Sequence, residues 1–585
     1  MSTDFSIEKL FQKLYSEFTN FESGNPLIKL LLLTSGIATT VLLAVGTSGA
    51  QKIDLLVSLV LGTAIWVLII YKLNLEYKIV VKKQSWLLDI ISFVLSANTI
   101  YFILIYFHRI VRNIVFSITS QSDYYSIFQY FQNYPYLITI CSIILGLLSM
   151  YLTFLIWRKL IELVISAISK LYSELDVIDK TYLALVFIFT GLSLLIIYNV
   201  SNAFYIPQTL EGKYPTGVLY GGDTGGVVRT DVYTNIGSST NAFNQPLFGL
   251  FALPFGVLST VISKLFYFVP NIYYISLQFL QIFALSVSIV LLYRLINNTI
   301  GNFKSRSFKN NQQYKKIVKI LYYSIVTFSF GWMMNSLMME QFVLSAFWLI
   351  LFTYLALNNS KYTDGIFIAA SGSTLTNGVL FPFLSHEFHP KKYFKVFFAF
   401  LGTVVISGQL PKILDFIDGI IRYSAYTGGS ATVVQKTEQW INFIASCFFT
   451  PGGRDVIWNY GFEYHVYLQL PVISFNILGI ILCCIFIIGL IMNYKDRFTR
   501  LCATWWLFSL VLMGIVGFGY GEMFMYSILF AWAYTSLLFI SLTRLLKNHP
   551  LILCVLLGLI VISLIVVNIP ALFDLLSFGV TYYPV

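Results

Sequence analysis

Charge is scarce in this chain. Asp, Glu, Lys and Arg make up only 11% of its 585 residues, against 57% hydrophobic residues. With a mean hydropathy of +0.78, no soluble packing could hide so much apolar surface, which leaves a polytopic membrane protein. Cysteine is equally rare. The six present, Cys141, Cys447, Cys483, Cys484, Cys502 and Cys554, lie nearly all inside apolar runs and match neither a zinc spacing nor a disulfide framework, so they read as small core hydrophobes. No G-x-x-x-x-G-K-[ST] segment is present, which excludes a phosphate-binding loop of that type. There is no repeat of 20 to 50 residues and no inverted repeat, which weakens a transporter reading.

The apolar runs set the architecture. Ile28 to Val45, Leu55 to Ile70, Leu183 to Ile197, Ile473 to Ile491 and Leu551 to Val567 approach or reach the roughly 20 residues that cross about 30 Å of hydrocarbon as a helix. Lipid satisfies no backbone polar group, so spans are helices or closed barrels, and these runs lack barrel alternation. The first 25 residues mix Phe and Leu with charges, like an interfacial helix rather than a cleavable signal.

A net charge of +11 would suit nucleic acid, but the Lys and Arg fall in short blocks between apolar runs, where they report orientation. Take a cytoplasmic N-terminus and spans near 27–46, 53–71, 85–107, 137–157, 181–200, 271–293, 317–336, 341–357, 396–411, 470–492, 501–518, 523–543 and 551–569. Let Pro246 to Phe268 lie on the outer surface, and let Gly365 to Leu384, broken by SGSTLTNG, form a half-helix hairpin entered and left from the cytoplasm. Then 27 of the 37 Lys and Arg lie inside and 10 outside; with both doubtful segments as ordinary spans the division is 19 to 18. The first arrangement is the expectation: an all-α multi-pass cell-membrane protein with about 13 spans, one broken hairpin, and outer segments at 201–270 and 412–469.

The outer segment YGGDTGGVVRTDVYTNIGSSTNAFNQPLFGL, 220–250, is polar in a chain that is otherwise mostly oil. Glycines at 221, 222, 225 and 226 flank Asp223, let the backbone approach a substrate closely, and make the loop a device that positions a carboxylate. Arg229 and Asp231 follow; a solvated turn with a local ion pair is the plain alternative.

Gly222-Asp223-Thr224 with Arg229 and Asp231, then Asn244-Gln245-Pro246-Leu247-Phe248 opening a surface helix, resemble the GT-C superfamily of integral-membrane glycosyltransferases. Gly519-Tyr520-Gly521-Glu522-Met523-Phe524-Met525-Tyr526-Ser527 is similar to the G-x-x-E-(M/L)-x-(L/M)-Y-S signature of bacterial members that act outside the cell. The resemblance covers residues 181–545; it departs at Gln245, where many relatives have His, and at the inserted Gly225 to Val228. It implies a GT-C-like core at 181–545; outside the resemblance, the span count leaves a four-span N-terminal module at 1–180, which could dock a partner enzyme, and a final span with an outer tail at 546–585. It also implies inverting transfer of a sugar from a polyprenyl phosphate to a glycan, teichoic acid, lipid or protein.

That chemistry needs a base for the acceptor proton and cations for the leaving phosphate. Asp223 is the candidate base and Asp231 a supporting carboxylate. Arg229, Arg454 and Lys436 are the candidate phosphate contacts, Arg being favoured because it holds two oxygens at once. Arg454 sits in FFTPGGRDVIW, where Pro451, Gly452 and Gly453 are expected to turn; Lys412 and Arg422 read as membrane-edge anchors. Glu522, at the start of a span, is a candidate substrate contact, since a carboxylate at that depth needs a cavity or a partner. Glu340 is a weaker case of the same kind, and His465 reads as structural. No cofactor is required and no metal ligand set is assigned, although the carboxylates leave a divalent metal open. A flippase or transporter of lipid-linked sugars, or a glycan polymerase or ligase, is the alternative; a nucleic-acid partner is not expected.

Overall fold

The computed structural model describes residues 157–158, 161–170, 172–205, 218–222, 232–233, 244–301, 312–387, 389–407, 409, 424, 426–459, 462–470 and 472–585, together with Ser92. The first three expected spans, and the fourth apart from Trp157, lie outside them apart from Ser92, as do Asp223, Arg229, Asp231, Lys412 and Arg422. The chain divides into two compact units, Met1–Leu175 and Asp176–Val585. In the first, the described residues are helical from 161 to 170, and Arg158 pairs with Glu162 one turn on at 3.1 Å.

The second unit is built of helices. They are α1 Val177–Ile197, α2 Phe248–Leu265, α3 Ile272–Gly301, α4 Gln312–Phe328, α5 Phe330–Leu337, α6 Gln341–Leu357, α7 Thr363–Ser373, α8 Pro390–Ile406, α9 Val433–Ser446, α10 Ile473–Asn493, α11 Arg497–Ser509, α12 Ser527–Leu545 and α13 Pro550–Tyr582. Seven helical segments among the described residues are long and apolar enough to cross a membrane: α1, α2, α3, α10, α11 with its continuation to Ile515, Met523–Leu545 and α13. Counting the bent pair α4–α5 as one more gives eight. The expected spans at 341–357 and 396–411 correspond to the 17-residue helices α6 and α8. The segment expected to lie flat, α2, has the length and composition of a span.

The expectation of an all-α chain is corrected by a hairpin. Strand β1, Gly452–Asn459, pairs antiparallel with β2, Phe462–Gln469, with Arg454 opposite Tyr467. Pro451 to Gly453, expected to turn, instead lead straight into β1. The reason is local: RDVIWN carries a run of β-branched and aromatic residues and FEYHVYLQ alternates apolar with polar ones, which suits a pleated ribbon better than a helix.

α12 is the axis of the unit. It is apolar all round and all of its candidate span is buried, as befits a helix enclosed by others. α10, α11 and α6 pack against it. Trp505 stacks on Phe530 at 5.1 Å and donates to Leu529 O at 2.8 Å, while Tyr534 and Trp440 both reach Ser509 Oγ, at 2.6 and 3.0 Å. These three rings thus enter the core with their polar ends satisfied.

α1 begins with a capping box in which Asp179 N donates to Asp176 Oδ1 at 2.9 Å and Asp176 N to Asp179 Oδ2 at 3.3 Å, relieving two orphan amides. Lys319 of α4 pairs with both carboxylates, at 2.8 Å to Asp176 and 2.5 Å to Asp179. The α4–α5 helix bends by 57° at Ser329, whose hydroxyl donates to Ile325 O and which Gly331 follows two residues later; Gly/Ser pairs are recognised kink sites. Asn568 of α13 fills the break, donating at 2.7 Å to both Phe328 O and Phe448 O.

The hairpin expected at 365–384 has the broken form. α7 stops at extended Thr374, and a 3₁₀ helix, Leu375–Leu384, returns. Asn377 Nδ2 caps Ala370 O at 2.9 Å, and Ser345, in the first turns of α6, donates to Ser373 O at 3.1 Å. α7 therefore climbs back beside α6 towards the end that carries Glu340. Asn244 to Leu247 dock on its tip through Leu375 N to Asn244 O, 2.7 Å, and Leu247 N to Gly372 O, 2.8 Å.

Candidate functional site

Three segments meet at the Glu340 end of α6. The first follows α1. Leu219 makes an isolated parallel bridge to Tyr467 of β2, with Tyr467 N donating to Val218 O at 2.8 Å and Tyr220 N to Tyr467 O at 2.6 Å. Tyr220 and Gly221 then turn through the left-handed region, φ 53° and 73°. For Tyr220 that conformation is unusual and is held by packing: its ring is buried against Phe524 at 4.4 Å and Tyr467 at 5.5 Å. Gly452 leaves it room, since a methyl group there would overlap the Tyr220 hydroxyl. Burial pushes the Tyr220 phenol well above its ordinary range.

The second segment is the turn Met338-Met339-Glu340 between α5 and α6. Gln278 of α3 donates to Met338 O at 2.9 Å and to Asn335 O at 3.0 Å, Tyr198 donates to Leu337 O at 3.1 Å, and Met339 N bonds Phe204 O at 3.1 Å. Glu340 is fully buried. A carboxylate so placed is costly unless the surroundings are built for it.

The third is Gly517-Phe518-Gly519-Tyr520-Gly521-Glu522. Its glycines have φ of 84°, 70° and 88°, a coiled path that side chains rarely adopt. Gly519 N bonds Tyr426 O at 2.9 Å, and Phe524 N takes Gln469 Oε1 of β2 at 3.1 Å. This leaves Glu522 half-buried at the head of the α12 span.

The three segments interlock at the paired glycines. A methyl group on Gly221 would fall 2.8 Å from Glu522 Cδ and 3.1 Å from its Oε1; one on Gly222 would fall 2.8 Å from Glu340 Oε1 and 3.0 Å from Met338 Sδ. Two carboxylates from different helices therefore press on successive glycines of the loop, and the next residue in sequence is Asp223. No known protein family, curated protein or solved structure matches this chain.

Lys436 lies against the same glycine coil. Its Nζ donates to Val516 O at 3.1 Å, and its stem is where a methyl on Gly517 would sit. Arg454 is committed elsewhere: it pairs with Asp574 of α13 at 2.5 Å, and Tyr467 OH donates to the other oxygen of Asp574 at 3.0 Å. Asp574 holds the Arg454 guanidinium above its ordinary range, and burial followed by Asp574 raises the Tyr467 phenol. His465 stacks on Tyr582 at 3.7 Å. Among the described residues no three His, Cys, Asp or Glu come close enough to hold a metal. The structure thus brings Glu522, Glu340 and Lys436 to the glycine segments and sets Arg454 into a latch between hairpin and α13. Asp574 had a sequence signal, being the only acid between 546 and 585.

An apolar cleft of about 820 Å³ runs between α1, α3, α4, α5 and α13. It is lined from Val177 along α1 to Ile197 and reaches Ser336 and Leu337, directly before the Met338–Glu340 turn.

Proposed function

We propose that this chain is a membrane glycosyltransferase that passes a sugar from a polyprenyl phosphate to a cell-envelope acceptor at the outer face. The observation that carries the reading is the seating of Gly221 and Gly222 against Glu522 and Glu340, because it joins the glycine-aspartate segment to the G-x-x-E segment. In this reading the acceptor hydroxyl gives its proton to Asp223 as its oxygen attacks the anomeric carbon from the face opposite the phosphate. The bond from that carbon to the phosphate oxygen breaks, the configuration inverts, and the lipid phosphate leaves. Glu522 and Glu340 orient the sugar and the loop. The leaving phosphate is assigned to Arg229 and Lys436 and the second carboxylate role to Asp231, while Arg454 holds the hairpin through Asp574. The apolar cleft ending beside the site supports a donor with a long lipid tail.

Purified full-length protein in nanodiscs, supplied with radiolabelled polyprenyl-phosphate sugars and envelope acceptors, tests this. Asp223→Asn is expected to lower turnover by about 10² to 10⁴; undiminished turnover removes Asp223 as base. The broken hairpin of α7 favours one competing reading, a flippase of lipid-linked sugars. Translocation in sealed vesicles with no glycosylated product would establish it instead.

A further inference from the structure

The glycine coil that leads into α12 carries an exposed ring beside its carboxylate. Tyr520 stands between Gly519 and Gly521, which have φ of 70° and 88°, and is 37% exposed. The span that starts at Met523 is enclosed by other helices along its whole length, so the coil at its head crowns the interior of the bundle. Rings that only anchor a protein at the membrane surface belong on its lipid-facing rim instead.

The turn before α9 supports the coil from one side. Tyr426 O accepts from Gly519 N at 2.9 Å and from Tyr520 N at 3.3 Å. Gly428, at φ 76°, lies so close to the Tyr520 ring that a methyl group there would fall 2.8 Å from its Cγ. A methyl on Gly517 would likewise meet Thr427 O at 2.7 Å. On the other side the coil is open: Gly521 is exposed, and no atom of the described residues lies within 4 Å of where its Cβ would be. Tyr426 itself is 51% exposed. Two exposed tyrosines thus sit on one pair of tied loops, with Glu522 two residues beyond Tyr520 and the stem of Lys436 against Gly517.

The face of a tyrosine ring is negative and attracts polarised C–H groups, which a pyranose presents together on one side of its ring. The sugar hydroxyls need acceptors and donors at the margin of the platform; the Glu522 carboxylate supplies the first and the phenol groups the second. A lipid tail has no use for either, and an acyclic polyol has no flat C–H face to lay on a ring. We propose that Tyr520 and Tyr426 form the stacking platform for a pyranose of the acceptor, so that the acceptor is a glycan. This rests on the transferase reading above and narrows its acceptor class.

Saturation-transfer NMR on the full-length protein in nanodiscs tests the platform without any turnover, using trisaccharides ending in glucose, galactose, mannose or N-acetylglucosamine, with ribitol as the acyclic control. Saturation is expected on the C–H protons of at least one trisaccharide and not on ribitol. Tyr520→Ala should weaken that binding about five- to ten-fold and Tyr520→Phe by less than about two-fold; Tyr426→Ala should weaken it in the same direction. Tyr494→Ala, which removes an exposed tyrosine at the far end of α10, should leave it unchanged. In the sugar-transfer assay Tyr520→Ala should raise the acceptor KM while kcat and the donor KM stay within about two-fold. No saturation of any trisaccharide by the wild type, or equal saturation of ribitol, overturns the proposal whether or not the variants fold. So does an unchanged acceptor KM in Tyr520→Ala, an outcome that leaves the transferase standing. Binding that needs Tyr520 with no transfer of sugar keeps the platform and removes the transferase.

Discussion

Replacement of Asn568 is the sharpest test of how this fold sets its site. The side chain is fully buried and serves three backbone groups: it donates to Phe328 O and Phe448 O, each at 2.7 Å, and accepts from Thr450 N at 3.0 Å. Asn568→Leu keeps the volume and removes all three bonds. A buried group left unpaired costs about 1–3 kcal/mol in a soluble core, whereas polar contacts between spans average about 0.6 and reach about 1.7 kcal/mol. Phe448 O keeps a bond from Phe330 N at 2.9 Å, so the total is about 2–4 kcal/mol. In a chain of 585 residues that amounts to a fall of roughly 2–3 °C in apparent melting temperature, readable by tryptophan fluorescence in detergent. Asn568→Asp keeps the acceptor for Thr450 and loses both donors, so it should fall between the wild type and the leucine variant. Thr450 leads into Pro451 and Gly452, on which Tyr220 packs, so turnover in the sugar-transfer assay of the proposed function should drop well below the melting range. An Asn568→Leu protein that melts with the wild type would refute the claim that this amide joins the α4–α5 break to the hairpin.

Gly222→Val should abolish detectable sugar transfer while the protein still inserts and melts cooperatively, because its side chain collides with Glu340 and Met338; turnover within about two-fold of wild type would separate the glycine pair from function. Gly221→Ala must hold an L side chain at φ 73°, which costs about 1–2 kcal/mol before its clash with Glu522, and the loss should appear in turnover more than in melting temperature. Tyr220→Ala empties a buried aromatic site and should destabilise by about 3–5 kcal/mol, whereas Tyr220→Phe should stay close to wild type. Asp574→Asn breaks a half-exposed pair, so its stability cost should stay below about 1 kcal/mol; a much larger shift would show that the latch carries the hairpin.

Much of the helical framework was legible in the chain because lipid demands runs of a set length with satisfied backbones. Six of the expected spans return as long single helices, and the SGSTLTNG break returns as the α7 hairpin. The segment 452–469 was harder to read: only its second half, FEYHVYLQ, alternates, and eight-residue strands have little weight beside neighbouring apolar runs. Glu522 and Lys436 could be picked out as rare charges. Asp574 could have been, but its link to Arg454 spans 120 positions and has no local sign.

The sequence alone determined a helical membrane protein, the break within SGSTLTNG and the glycine-rich segments, since hydropathy, length and φ preference act over a few residues. Only the tertiary structure decided that Gly221 and Gly222 bear on Glu522 and Glu340, that Arg454 is held by Asp574, and that one asparagine closes the bend of α4–α5. Those are meetings of groups a hundred or more residues apart, set by which helix faces pack and which buried backbone groups need a partner.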